Sequence, residues 1–149
     1  MTPTPDERDT VTMSESVREA IRAHAARAYP HECCGALLGS RDDGIEDALP
    51  FDNVAPGDRD RRFLVSAADY RAAESRADRT GRALLGFYHS HPDHPAEPSA
   101  FDLAHAWPNL SYVILSVRDG RPGDMKSWRL APNRSRFAEE TLAPSGLQG

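Results

Sequence analysis

The chain has 149 residues, 39% apolar and 28% charged, which suits one soluble domain with a buried core rather than a disordered polymer. A net charge of −5 and the lack of any basic cluster argue against non-specific nucleic-acid binding, which needs cations to neutralise phosphates. No run approaches the roughly 18 apolar residues that span a bilayer, and MTPTPDERDT lacks a basic segment followed by an apolar one, so neither a membrane span nor a secretory signal is expected.

In chain order, residues 1–13 are polar and proline-bearing and read as a mobile N-terminal tail. Ser16 and Glu19 form an S-x-x-E capping box, and Val17, Ala20, Ile21, His24, Ala25 and Ala28 follow at helical spacing. A helix is therefore predicted to about Tyr29, ended by Pro30. Residues 34–40 (CGALLGS) predict a short buried strand, and 45–53 predict the second arm of a hairpin. A polar loop over 56–61 leads to a brief strand at 63–66. Ser66 and Asp69 cap a second helix that runs to about Thr80 and stops at Gly81.

Residues 82–91 (RALLGFYHSH) predict a central strand, apolar first and polar at its end. A proline-rich loop follows, then a short helix over 99–105. Residues 111–117 (SYVILSV) predict a strand, 119–124 a turn, and the alternation of 125–130 a final strand. Residues 132–149 carry few apolar side chains and read as a loosely packed C-terminal tail. One domain over 14–131 results, of the α/β class, with a mixed central sheet and helices packed on it.

The two cysteines, Cys33 and Cys34, are neighbours, which is awkward geometry for a mutual disulfide. Two reduced thiols in a reducing cytoplasm is the simpler reading, so a cytoplasmic location is expected. Small buried strand residues describe them better than a thiol nucleophile, because no His–Asp pair is left to activate one. The P-C-x-x-C half of a zinc-deaminase signature is also missing. One of the thiols lining a pocket stays open.

The chemistry concentrates in residues 89–102, HSHPDHPAEPSAFD. Side chains i and i+2 of an extended strand share a face, so His89 and His91 offer two imidazoles on one side. Asp102, eleven residues after His91 and near a helix start, folds back as a third ligand. Two imidazoles, one carboxylate and an open fourth position describe a catalytic zinc site rather than a structural one. Such an ion lowers the pKa of its water from about 15.7 to about 7. The residue types alone do not separate zinc from another divalent ion.

Glu32, between the first helix and the first strand, is the candidate proton acceptor and donor. Ser99 to Asp102 is also S-x-x-D, a capping box, and the two readings are compatible because the same helix start aims Asp102. His94, in a proline-flanked loop, reads as a solvent-exposed or substrate-side residue, and His105 as a packed helix histidine. His24 and His31 have no partner pattern. Alternation divides Phe87 and Tyr88 between the core and the site mouth.

The segment Pro30-His31-Glu32-Cys33-Cys34-Gly35, followed by H-S-H-x₇-S-x₂-D, resembles the signature of the JAMM (MPN) metallopeptidases, and every motif position is filled. The resemblance spans residues 14–131 and implies a cytidine-deaminase-like α/β/α fold, Zn²⁺ on His89, His91 and Asp102, and Glu32 as general base and acid. It also implies that Ser99 helps hold the oxyanion of the tetrahedral intermediate.

Members of this family cut peptide or isopeptide bonds after the C-terminal glycine of ubiquitin or ubiquitin-like proteins. Small bacterial members resemble this chain most, in length and in the E-C-C-G block. For them the implied substrate is a ubiquitin-like sulfur-carrier protein with a C-terminal Gly-Gly tail, cleaved by zinc-bound hydroxide. The chain has little room for the ubiquitin-gripping insertions of larger relatives. The extended tail is expected to pair with a strand edge near the site. The alternatives are a general small-peptide metallopeptidase and a non-catalytic MPN scaffold; scaffold relatives lack motif residues that this chain keeps.

Overall fold

The computed structural model describes residues 10–51, 65–133 and 135–145. In chain order they form β1 (Thr10–Met13), α1 (Glu15–Ala28), β2 (Cys34–Ser40), β3 (Gly44–Phe51), α2 (Ala67–Thr80), β4 (Ala83–Pro92), α3 (Ala100–Ala104), β5 (Ser111–Arg118), β6 (Arg121–Leu130) and β7 (Phe137–Pro144). The strands lie in the order β1-β3-β2-β4-β5-β6-β7, and the sheet closes because β1 also pairs with β7. β4 and β5 run parallel, as does β1 with both its neighbours, and the other pairs are antiparallel. The sheet is mixed, as expected.

Alternation along the central strands divides the core in two. Leu37, Tyr88, Val113 and Leu115 face one side, where α1 covers them with Val17, Ile21 and Ala25 at i, i+4 and i+8. Cys34, Ala36, Phe87 and Tyr112 face the other side, with Phe51 and with Ala73 of α2. Helix, sheet and helix thus form the layers of an α/β/α fold. Phe87 and Tyr88 take opposite faces as alternation requires, and both are fully buried.

Helix boundaries follow their caps. At α2 the Asp69 N–H donates to the Ser66 hydroxyl oxygen at 3.0 Å, and Gly81 ends the helix at φ 69°, a left-handed conformation that glycine adopts without steric cost. α1 starts two residues before the expected Ser16 box, because Ser14 is the cap: its hydroxyl oxygen accepts the Val17 N–H at 3.3 Å.

The ends of the chain correct the expectation of two tails. Within 1–13, the four residues of β1 pair with β7 from Thr10–Thr141 to Met13–Pro144. Within 132–149, β7 pairs with β6 from Ser127–Glu140 to Leu130–Phe137. β1 is too short for its period to register, and in β7 the core-facing position is a glutamate. Glu140 is buried and accepts the Ser127 hydroxyl at 2.6 Å, so a charged residue occupies the place of the apolar one that periodicity looks for. The strand expected over 63–66 lies partly outside the described residues, and Val65 and Ser66 are not in one. Among the described residues no helix is long and apolar enough to cross a membrane.

Candidate metal centre

β4 projects beyond β2 at its polar end. β2–β4 pairing stops at Cys34–His89, while β5 accompanies β4 through Pro92 on the other side. His89 and His91 therefore sit on a strand held rigidly by β5 yet open toward the chain that precedes β2. Both imidazoles are buried on the Phe87 face.

Asp102 arrives from the short helix α3, and the cap of that helix aims it. The Asp102 N–H donates to Ser99 Oγ at 3.0 Å, and the Ser99 N–H donates to Asp102 Oδ2 at 2.8 Å, a reciprocal capping box. The same Oδ2 lies 3.2 Å from His89 Nε2 and 3.2 Å from His91 Nε2, and the two Nε2 atoms are 3.2 Å apart. Three donor atoms thus make an equilateral triangle. Ligands at 2.0–2.1 Å from a tetrahedral zinc stand about 3.3 Å from one another. The donor set and its spacing fit such an ion, and these three residues are the group able to hold a metal among the described residues.

Protonation states agree with that use. Burial pushes the pKa of His89 down, against the pull of Asp102, and so favours the neutral imidazole. Burial opposes ionisation of Asp102, but the adjacent His89 and His91 and the Ser99 amide outweigh it and hold the carboxyl well below the usual carboxylate range. His91 Nδ1 lies 2.9 Å from the Pro95 carbonyl oxygen, an acceptor only. Nδ1 therefore carries the hydrogen, and the Nε2 lone pair is left facing the triangle.

Glu32 is 4% exposed and lies just before β2. The Ser90 N–H donates to the Cys33 carbonyl at 3.1 Å, which carries the antiparallel pairing one residue past Cys34–His89. Glu32 is the residue before Cys33, outside β2 and one step beyond that last tie to β4. Ser99 is exposed at the start of α3. His94 is solvent-exposed. His105 is exposed too, its ring stacked on Phe101 with centroids 4.1 Å apart. His24 Nδ1 meets the Tyr88 hydroxyl at 2.7 Å on the α1 side of the sheet. Both cysteines are buried and reduced, and burial, eased by the Ser90 hydroxyl, pushes the Cys33 thiol up to about 11.

Sequence reasoning missed the groups that support the triangle. The loop from Asp93 to Pro98 is pinned by the Asp93 N–H to the Val117 carbonyl at 2.6 Å and by the Ser116 hydroxyl to the His94 carbonyl at 2.7 Å. The Trp128 indole adds a bond to the Ala96 carbonyl at 3.1 Å. Trp128 lies 26 residues beyond Asp102, and no local pattern signals such a contact. Ser90 carried a signal, because alternation turns the residue between two ligands to the opposite face.

Residues 14–131 match the family described as prokaryotic homologs of the JAB domain. A probable TtuB-protein conjugate cleaving protease of Thermus thermophilus is 36% identical over 99 residues, 66% of this chain and 65% of that protein. Tail tip assembly protein K of Escherichia phage N15 is 35% identical over 72% of this chain but 42% of its own length. A desampylase of Haloferax volcanii is 36% identical over 117 residues, 74% of this chain and 83% of that protein. The chain thus spans less than two thirds of the Thermus and phage proteins it matches. A solution structure of a protein from Desulfitobacterium hafniense superposes with a TM-score of 0.76 at 31% identity, covering 92% of this chain and 94% of that one. The chain belongs to the family of prokaryotic JAB-domain homologs.

Proposed function

We propose that this protein is a zinc peptidase that hydrolyses the amide bond after the C-terminal glycine of a ubiquitin-like or sulfur-carrier protein. The observation that carries this reading is the triangle of His89 Nε2, His91 Nε2 and Asp102 Oδ2, 3.2 Å on each side. Zn²⁺ bound there by those three residues supplies a Lewis acid and a water that ionises near neutral pH.

The chain's own residues do the rest. Glu32 takes a proton from the attacking water on its carboxylate and delivers it to the departing nitrogen, so that no charged amide leaving group forms. Ser99 Oγ accepts the Asp102 N–H and keeps its own proton to donate to the carbonyl oxygen as that oxygen gains charge. His91 is locked in one tautomer by the Pro95 carbonyl, so it spends no free energy on reorientation when a ligand arrives.

The substrate class is supported by the relatives named for TtuB conjugates and for desampylation. A glycine-rich tail is extended and poor in side chains, and main-chain hydrogen bonds to a strand suit it. Asp47 to Phe51 of β3 pairs with β2 on one side and, among the described residues, with no strand on the other. Phe51 pairs with Cys34, and Cys34 with His89, so that edge begins two strands from the histidines.

The test is elemental analysis of the purified protein beside Asp102→Asn, followed by incubation with a carrier protein joined through its terminal glycine to cysteine or lysine. We expect about one zinc per chain in the parent, largely lost in the variant, and release of a carrier ending in glycine. A parent that neither holds zinc nor takes it up on titration would overturn the reading.

A further inference from the structure

Ser90 stands between the two histidines, and strand alternation turns its side chain to the other face of β4, away from the triangle. It is fully buried there and bonded twice to Cys33, the residue after Glu32. The Ser90 N–H donates to the Cys33 carbonyl at 3.1 Å, and the Cys33 N–H donates to Ser90 Oγ at 2.9 Å.

The second bond departs from a regular ladder. Two residues that form a hydrogen-bonded antiparallel pair exchange N–H to carbonyl bonds through the main chain. Here the return bond goes to a side-chain oxygen instead. The chain before β2 is thereby free to leave the line of the strand while still tied to β4. That departure is where Glu32 lies, one residue beyond the tie and next to the strand that carries both imidazoles.

We propose that Ser90 is a positioning residue: its hydroxyl clamps the segment bearing Glu32 to the strand bearing His89 and His91, and so fixes where the carboxylate stands relative to the metal. The proposal deepens the peptidase reading and rests on it for the consequence in turnover, though the clamp itself exists without metal. A buried hydrogen bond to the main chain is worth about tenfold in a local equilibrium. Groups that orient a metal site cost about 10- to 100-fold in function when removed.

Two measurements decide the matter, on Ser90→Ala and on Ser90→Thr, which keeps the hydroxyl. In the metal-free protein, amide hydrogen exchange at Cys33 should rise about tenfold in Ser90→Ala and stay near the parent rate in Ser90→Thr. In the zinc-loaded protein, Ser90→Ala should keep its zinc and its KM within about twofold, while kcat falls about 10- to 100-fold. Ser90→Thr should recover most of that loss, and Ser90→Ala should add nothing in a Glu32→Gln background.

An unchanged kcat overturns the proposal, and so does an equal further loss in the Glu32→Gln background. Loss of zinc in Ser90→Ala also overturns it, because the hydroxyl would then support the histidines rather than the glutamate. If the parent cleaves no conjugate, the peptidase reading falls instead. Amide exchange still decides the clamp in that case, and an unchanged Cys33 rate refutes it.

Discussion

Ser99 carries two roles that substitution separates. Its hydroxyl oxygen caps α3 by accepting the Asp102 N–H, and its hydroxyl proton is assigned to the developing oxyanion. The bond that aims Asp102 Oδ2 comes from the Ser99 main-chain N–H at 2.8 Å and survives any change of side chain except proline. Ser99→Ala should therefore keep its zinc. Loss of an N-cap costs about 0.5–2 kcal/mol, which lowers the unfolding midpoint by about 2–4 °C per kcal/mol in a domain of this size. Loss of an oxyanion donor should lower kcat about 10²- to 10³-fold. Glycine replaces serine at an N-cap for only a few tenths of a kcal/mol, so Ser99→Gly should lose the same turnover at nearly parental stability. The assays are elemental analysis, thermal unfolding and single-turnover cleavage of a carrier-protein amide. Full turnover in Ser99→Gly would reduce the serine to a cap, and loss of zinc in Ser99→Ala would show that the hydroxyl, not the main chain, aims the carboxylate.

Glu32→Gln should retain zinc and lose turnover by about 10²- to 10⁴-fold, the range for a removed general base; hydrolysis at the parental rate would remove the role given to that carboxylate. Neither Cys33 nor Cys34 should react with a thiol reagent near neutral pH until denaturant is added, since both are buried. The raised Cys33 pKa favours the fold below the thiol's ordinary value, and that contribution should be lost as pH climbs through about 11, seen as a falling unfolding midpoint in alkaline buffer that Cys33→Ala lacks. Gly86→Ala would drive a Cβ into the carbonyl oxygen of Ser111 across the β4–β5 pair. The expected cost is about 3 kcal/mol, or roughly 6–12 °C in midpoint, and an unchanged midpoint would contradict the register of β4 against β5.

What was legible in the sequence was whatever is local. The pairing of His89 with His91 is a strand period, the box from Ser99 to Asp102 is a helix cap, and α2 runs from Ser66 to Gly81 because both ends carry capping residues. The triangle itself needed only these two local facts plus a loop of the right length. Illegible features were those made across the sheet. β1 and β7 are strands because each completes the other's ladder, and neither has an amphipathic period of its own once Glu140 takes the buried place. The start of α1 was misplaced by two residues because Ser14 and Ser16 both satisfy a capping pattern, and only the tertiary path selects Ser14. The place of Glu32 depends on the β2–β4 register, which a sequence leaves open.

The supports of the site share one property that explains why its signature reads as spacing rather than as identity. His91 is oriented by the carbonyl of Pro95, the loop is pinned through the carbonyls of His94 and Ala96 and the N–H of Asp93, and Asp102 is aimed by the N–H of Ser99. Each of those atoms belongs to the main chain, which any residue other than proline supplies in full. Within Asp93 to Pro98 the Asp93 carboxylate also accepts the Tyr29 hydroxyl at 2.7 Å and the Asp119 N–H at 2.8 Å, and Ala96 is buried. The number of residues is fixed throughout: an added residue would move every carbonyl off its partner and rotate the capping box away from the imidazoles. A metal centre built this way demands specific side chains where an atom touches the metal or the reacting bond and where, as at Ser90, Ser116 and Trp128, a side chain bonds to the main chain around it, and it demands length everywhere between.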